Sequence, residues 1–154
     1  MGCPFCYTDA EKTRIIAQRV FVYVALSNPR LVPGHMLVIP YRHVERLSEL
    51  DAEERRELFD TAIEFQERVT KTFAAGADIR QQFMPFIAQD RLKVDHSHIH
   101  ILPRNFKDEL YEKCQVHQKE IFQDISKDEM DRYEGLFGDR PGNHISSMTS
   151  IPRR

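Results

Sequence analysis

Histidine recurs at every second position in Val94-Asp95-His96-Ser97-His98-Ile99-His100-Ile101-Leu102-Pro103-Arg104, and this period of two constrains the fold more than any other feature of the chain. Only an extended backbone gathers alternate residues on one face, whereas a helix scatters them around its circumference. A strand over roughly residues 94–102 is therefore predicted, with His96, His98 and His100 on one face and Ser97, Ile99 and Ile101 on the other. Neighbouring imidazoles then stand about 6.6 Å apart, close enough to work on one phosphate or to divide between a metal and a phosphate.

Such a strand needs sheet neighbours, and the sequence offers them. Val20-Phe21-Val22-Tyr23-Val24-Ala25-Leu26 is β-branched and aromatic and runs into the turn residues Ser27-Asn28-Pro29. After a second turn at Val32-Pro33-Gly34, the run His35-Met36-Leu37-Val38-Ile39 reads as a strand closed by Pro40, with a connection short enough for an antiparallel hairpin. Strand character returns from Ile79 to Ile87, where Pro85 implies an edge position or a bulge.

The clearest helix spans about Asp51 to Ala74. Asp51 can cap it, Glu54 stands where a capping box needs it, and Leu58, Ala62, Phe65, Val69 and Phe73 recur at helical spacing before Gly76 ends it. Beyond Arg104 the chain turns strongly charged, with amphipathic helices predicted near Leu110–Phe122 and Ser126–Phe137, the second opened by a capping box of Ser126 and Glu129. Residues 139–154 carry little apolar content and are expected to form an irregular or mobile tail. The fold class is α+β, with one domain over residues 1–138 made of a core at about 3–104 and a helical extension at 105–138.

With 154 residues, 41% of them hydrophobic, such a domain can bury a real core without disulfide staples. No apolar run reaches the roughly 18 residues that read as a membrane span, and the N-terminus lacks the basic-then-apolar layout of a signal peptide. The net charge of −2 is spread over interspersed acidic and basic residues, which argues against a grip on long nucleic acid. A soluble cytoplasmic protein that meets any anion at a local site is expected.

Among the 3 cysteines, Cys3 and Cys6 stand too close in sequence to staple a distant loop. Two thiolates at this spacing suit one shared tetrahedral zinc, a redox pair, or two idle thiols at a terminus. The redox reading asks for a preceding strand that the first residues leave no room to form. Cys114, in a predicted helix, reads as a packed or idle thiol.

Imidazole has the chemistry to attack phosphorus. Its ordinary pKa near 6.5 leaves it mostly neutral at cell pH, and a hydrogen bond to one nitrogen frees the other as a nucleophile. Nearby donors can then stabilise the charge that builds on the phosphoryl oxygens. The alternatives for the alternating histidines are a metal-binding strand and a solvated sheet face.

The histidine-rich segment resembles the motif of the histidine triad family, in which three histidines are separated by single residues and followed by two apolar ones. The upstream stretch Asn28-Pro29-Arg30-Leu31-Val32-Pro33-Gly34-His35-Met36-Leu37-Val38-Ile39-Pro40-Tyr41-Arg42-His43-Val44 is similar to the family's first block, and the resemblance covers roughly residues 3–104. It implies a five-stranded antiparallel sheet with a long helix, a homodimer, and cleavage at the α-phosphate of a nucleotide through a nucleotidyl-histidine intermediate. By this resemblance His98 is the nucleophile, His100 contacts the phosphate and leaving group, and His35 supports the nucleophile. Asn28 and Gln89 fall at polar substrate contacts, and Leu26 and Leu37 at the base pocket. Leu26, where one branch carries an acidic residue, points to the dinucleoside polyphosphate branch.

In zinc-containing relatives a cysteine pair is completed by a histidine after the second strand and by the first histidine of the triad, which implies Cys3, Cys6, His43 and His96 as ligands of a structural zinc. Two departures stand out. The segment Gln89-Asp90-Arg91-Leu92-Lys93-Val94-Asp95 lacks the glycines common there, and Ser97 is polar where the family carries an apolar residue, which predicts a less buried back to that strand. Two functions are consistent with these features: a hydrolase or nucleotidyltransferase acting on a dinucleoside polyphosphate or nucleotide conjugate, and a nucleotide-binding regulatory protein with little turnover.

Overall fold

A computed structural model describes residues 2–139, in which the elements are β1 (Ile15–Gln18), β2 (Val22–Leu26), β3 (Met36–Pro40), α1 (Ala52–Thr72), β4 (Gly76–Arg80), β5 (Ile99–Arg104), α2 (Glu109–Lys113) and α3 (Lys127–Phe137). The β-branched runs on either side of Pro33 form the expected antiparallel hairpin, with Val22 opposite Pro40 and Leu26 opposite Met36. At its turn Gly34 adopts φ 77, and a Cβ there would stand 2.8 Å from the Phe73 ring, so glycine is needed on both counts. The whole sheet is antiparallel with strand order β1-β2-β3-β5-β4, the α+β architecture predicted from the sequence.

Helix α1 begins as its sequence dictates. Asp51 Oδ1 accepts from the backbone N–H of Glu53 and Glu54 at 3.0 and 2.9 Å, while Glu54 Oε2 accepts from the Asp51 N–H at 2.8 Å. Leu58, Ala62, Phe65 and Val69 face the sheet and close a core with Val22, Val24, Met36, Val38, Ile99 and Ile101. Phe73, at the end of the stripe, is exposed as the helix C-cap, and Gly76 opens β4 rather than ending the helix.

Several strand limits differ from expectation, and one strand was not foreseen. β5 starts at Ile99 rather than near residue 94, because the backbone N–H of Ser97 donates to the Val44 carbonyl at 2.6 Å and so leaves the ladder. β4 pairs Arg80 with His100, so it runs out of partner at Arg80, and residues 81–98 form a loop where a strand to Ile87 was predicted. The short β1, which pairs with β2 through an irregular register, has no counterpart in the predicted elements.

Of the described residues, 2–116 form one compact unit and 117–139 a second. The helix predicted over 110–122 divides into α2 and a 3₁₀ turn at Gln115–Glu120; Leu110 is the single buried residue of the two segments, so little packing sustains a longer helix. In the second unit Ser126 Oγ accepts from the Glu129 N–H at 3.2 Å and Glu129 returns a bond to the Ser126 N–H at 2.9 Å, the predicted capping box of α3. The tail expected from residue 139 lies, from 140 onward, outside the described residues. No helix among the described residues is long and apolar enough to cross a membrane.

Candidate functional site

Register decides which residues of β5 reach the open face of the sheet. Ile99 stands opposite Val38 and Ile101 opposite Met36 on the helix-covered side, whereas His100 stands opposite Leu37 on the other side. That side also carries Tyr23, Ala25 and Ile39, with Phe5 and Ile15 packed on them. His35 is held at the entrance to β3 by its carbonyl, which accepts from the Ser27 N–H at 2.9 Å.

Hydrogen-bond partners fix the tautomers of three rings. The Leu31 N–H donates to His35 Nδ1 at 3.0 Å, so the proton of neutral His35 lies on Nε2, which donates to His100 Nδ1 at 2.9 Å. His100 therefore carries its proton on Nε2, as an outward donor. His98 Nδ1 donates to the His96 carbonyl at 2.7 Å, which leaves His98 Nε2 with a free lone pair. The His98 and His100 ring centroids lie 4.6 Å apart at an interplanar angle of 62°.

Burial keeps these rings neutral. It lowers the His35 pKa to about 4 and that of His100 to about 3, and the Arg80 charge, like that of a protonated His98, pushes both in the same direction. His98 is pushed down as well, chiefly by burial and against the opposing bond to the His96 carbonyl. An uncharged donor thus sits beside an uncharged nucleophile, the protonation states that nitrogen attack on phosphorus requires.

The first histidine of the triad belongs to a second cluster. His96 is buried, and its Nε2 donates to the Pro40 carbonyl at 2.9 Å, turning Nδ1 toward Cys3 Sγ at 3.3 Å and Cys6 Sγ at 3.6 Å. His43 Nδ1 lies 3.4 Å from Cys6 Sγ, and the donor atoms of Cys3, Cys6, His43 and His96 all fall within 4.8 Å of one another. Sulfur and nitrogen bound to one tetrahedral zinc stand about 3.5 Å apart, given bonds of about 2.3 and 2.0 Å. The donor types, their spacing and the fixed His96 tautomer all fit such an ion.

The structure thus brings His35, His98, His100 and Leu37 together on one face, and Cys3, Cys6, His43 and His96 at one point. Leu26 does not join Leu37: its pairing with Met36 puts it on the helix-covered side, at the half-exposed end of β2. Asn28 is exposed in the turn and donates through Nδ2 to the Lys12 carbonyl at 3.4 Å. The side-chain oxygen of Gln89 accepts from the Asp95 N–H at 3.0 Å, so it braces the loop that leads into the histidines. Ser97, expected to mark a less buried side, is 4% exposed, and Gln81 Nε2 reaches its hydroxyl at 3.5 Å. Arg104, a basic residue at the exit of β5, is taken up by Asp78, Asp108 and Gln115, and the carboxylates of Asp108 and Asp78 raise its pKa.

Two residues of the site escaped the sequence reading. Phe5 lies edge-on to His98 with ring centroids 5.1 Å apart, while Tyr23 donates its hydroxyl proton to the Phe5 carbonyl at 2.8 Å. Its place between two metal-type cysteines was the available signal. Arg80 lies opposite His100, visible only once the β4–β5 register is known.

A family model described as HIT domain matches residues 8–107. The chain is 36% identical over 119 residues to the bifunctional bis(5'-adenosyl)-triphosphatase/adenylylsulfatase FHIT of Arabidopsis thaliana, a match that covers 71% of this chain and 64% of that protein. It is 39% identical over 79 residues to the asymmetrical bis(5'-nucleosyl)-tetraphosphatase of Schizosaccharomyces pombe, covering 51% of this chain and 42% of the relative. It therefore spans less than two thirds of the length of these curated relatives. Among solved structures, a HIT family protein from Bacillus subtilis superposes with a TM-score of 0.65 at 20% identity, over 88% of this chain and 94% of its own. A zinc-bound histidine triad family protein from Mycobacterium smegmatis gives 0.60 at 22% identity, over 70% and 78%.

Proposed function

Because the chain belongs to the HIT domain family, we propose that it transfers a nucleotidyl group from a dinucleoside polyphosphate or nucleotide conjugate to water or phosphate through an intermediate on His98. The observation that carries this reading is the bond from His98 Nδ1 to the His96 carbonyl, which leaves Nε2 unprotonated. Nε2 forms a bond to the α-phosphorus while the bond from that phosphorus to the leaving oxygen breaks, its electron pair departing with the leaving group. His100, held by the chain from the Leu31 amide through His35, offers its Nε2–H to the phosphoryl or leaving oxygen. Water or phosphate then attacks the same phosphorus and restores the free ring.

The Arabidopsis and fission yeast relatives are named for dinucleoside polyphosphate cleavage, which supports this substrate class. Leu37 supplies an apolar wall beside His100, and Gln89 acts through the loop it braces. The test is turnover of diadenosine tetraphosphate and of a nucleoside phosphoramidate by His98→Ala. A loss of about 10³-fold or more with nucleotide affinity retained is expected, since the covalent route is removed. Activity that survives largely intact would refute the proposal, and a wild-type protein that binds nucleotide without turnover would instead be a regulatory binder.

Cys3, Cys6, His43 and His96 would hold a structural zinc, four protein ligands leaving no position open for water. That ion would tie the N-terminal residues to the segment preceding β5. Elemental analysis should find about one zinc per chain, and Cys3→Ser should lose most of it. Full zinc retention by that variant would place the metal elsewhere. A homodimer and a cytoplasmic location complete the proposal; β4 is an edge strand of the sheet, and a zinc-binding pair of Cys3 and Cys6 suits a reducing compartment.

A further inference from the structure

The strand order lays out the substrate as well as the site. Moving across the face away from α1, from β2 through β3 and β5 to β4, the residues are the buried Ala25 and Leu37, then His100, then Arg80. Residues directly opposite on antiparallel strands share a face with Cβ atoms about 5 Å apart, so Arg80 and His100 are immediate neighbours. Arg80 also contributes electrostatically to the lowered pKa values of His35 and His100.

The guanidinium of Arg80 is anchored rather than consumed. It has five N–H donors, and Asp78 Oδ2 accepts one of them at 2.6 Å. The same oxygen accepts from Arg104 at 2.8 Å, and Arg104 is tied in turn to Asp108. Asp78 is thus fixed from behind and holds Arg80 beside the neutral histidines, while the Arg80 side chain keeps 31% of its surface open. Neutral imidazoles can attack phosphorus, but they cannot offset the several negative charges of a phosphate chain. A planar guanidinium meets phosphate oxygens through paired hydrogen bonds and supplies that charge.

Building on the nucleotidyl-transfer reading above, we infer that Arg80 binds the phosphate chain of the leaving group, so that the site selects nucleotides whose leaving group is a polyphosphate. The α-phosphate then lies at His98 and His100, and the remaining phosphates over β4.

The test compares wild type, Arg80→Gln and Arg80→Lys on diadenosine tetraphosphate and on the p-nitrophenyl ester of AMP, whose leaving group carries no phosphate. One to two charge-assisted hydrogen bonds correspond to a loss of about 10- to 100-fold in kcat/KM, expected for Arg80→Gln on the tetraphosphate alone. Arg80→Lys should recover part of it, and inhibition by inorganic tripolyphosphate should weaken in Arg80→Gln while inhibition by AMP does not. Equal losses on both substrates, or no loss on either, overturn the role of Arg80 and leave the transfer reading standing. Failure of wild type to cleave either substrate overturns both.

Discussion

The two faces of the sheet are built from alternate residues of the same strands, yet different physics holds each one. Toward α1, Val22, Val24, Val38, Ile99 and Ile101 are each 0% exposed and belong to one apolar cluster. On the other side His35 and His100 are also buried or half-buried, but each is tied by a directional hydrogen bond. The first face tolerates any neighbour of the right volume. The second has its own apolar cluster at Tyr23, Ala25, Leu37 and Ile39, but its histidines depend on which nitrogen carries the proton. Stability and chemistry are thereby separated by the pleat of the strand, and a change on one face should leave the other's property largely intact.

Leu58→Ala is the strongest way to break that separation. Leu58 is 0% exposed in the helix-side core, so truncation should cost about 3 kcal/mol of folding stability by combining lost burial with a cavity. Denaturant unfolding measures the cost, and turnover at low temperature, where the variant is folded, should match wild type. A large fall in kcat in folded Leu58→Ala would show that the helix-side core also sets the geometry of the histidines.

How far each face was legible in the sequence follows from the range of the interactions that make it. The hairpin of β2 and β3, helix α1 with its Asp51 cap, and the Ser126 cap of α3 are written in residues within a few positions of one another, and all were predicted. That Ile99 and Ile101 point away from His100 followed from a local period as well, but the less buried back expected from Ser97 did not hold, since Ile99 and Ile101 are 0% and Ser97 4% exposed. The convergence of Cys3 and Cys6 with His43 and His96 did not follow from spacing; it came from family resemblance, because only the folded chain joins segments 90 or more positions apart. Register is also long-range. The start of β5 at Ile99, the end of β4 at Arg80 and the meeting of Arg80 with His100 all depend on one cross-strand pairing that no local pattern encodes. The resemblance assigned Leu26 and Leu37 to one base pocket, and only the pairing of Leu26 with Met36 and of Ala25 with Leu37 shows that they face opposite sides.

A smaller effect sharpens the contrast from the side of the chemistry. Burial holds His35 near pKa 4 and His100 near 3 in the fold, whereas both return to about 6.5 when the chain unfolds. Above pH 6.5 the rings are neutral in both states and their contribution to stability is complete. As pH falls below that value the unfolded chain gains protons that the native rings refuse, so stability is lost progressively down to the folded pKa values. The groups facing these rings are His98 and Arg80, and neither favours an added positive charge. The loss should be about 1 kcal/mol per ring by pH 5.5. His35→Gln removes one titration while offering an acceptor to the Leu31 N–H and a donor to His100, so its melting temperature should fall less between pH 7 and 5.5 than that of wild type. Parallel pH dependences would mean that His35 does not titrate between the two states, and the open face would then owe its protonation states to something other than burial.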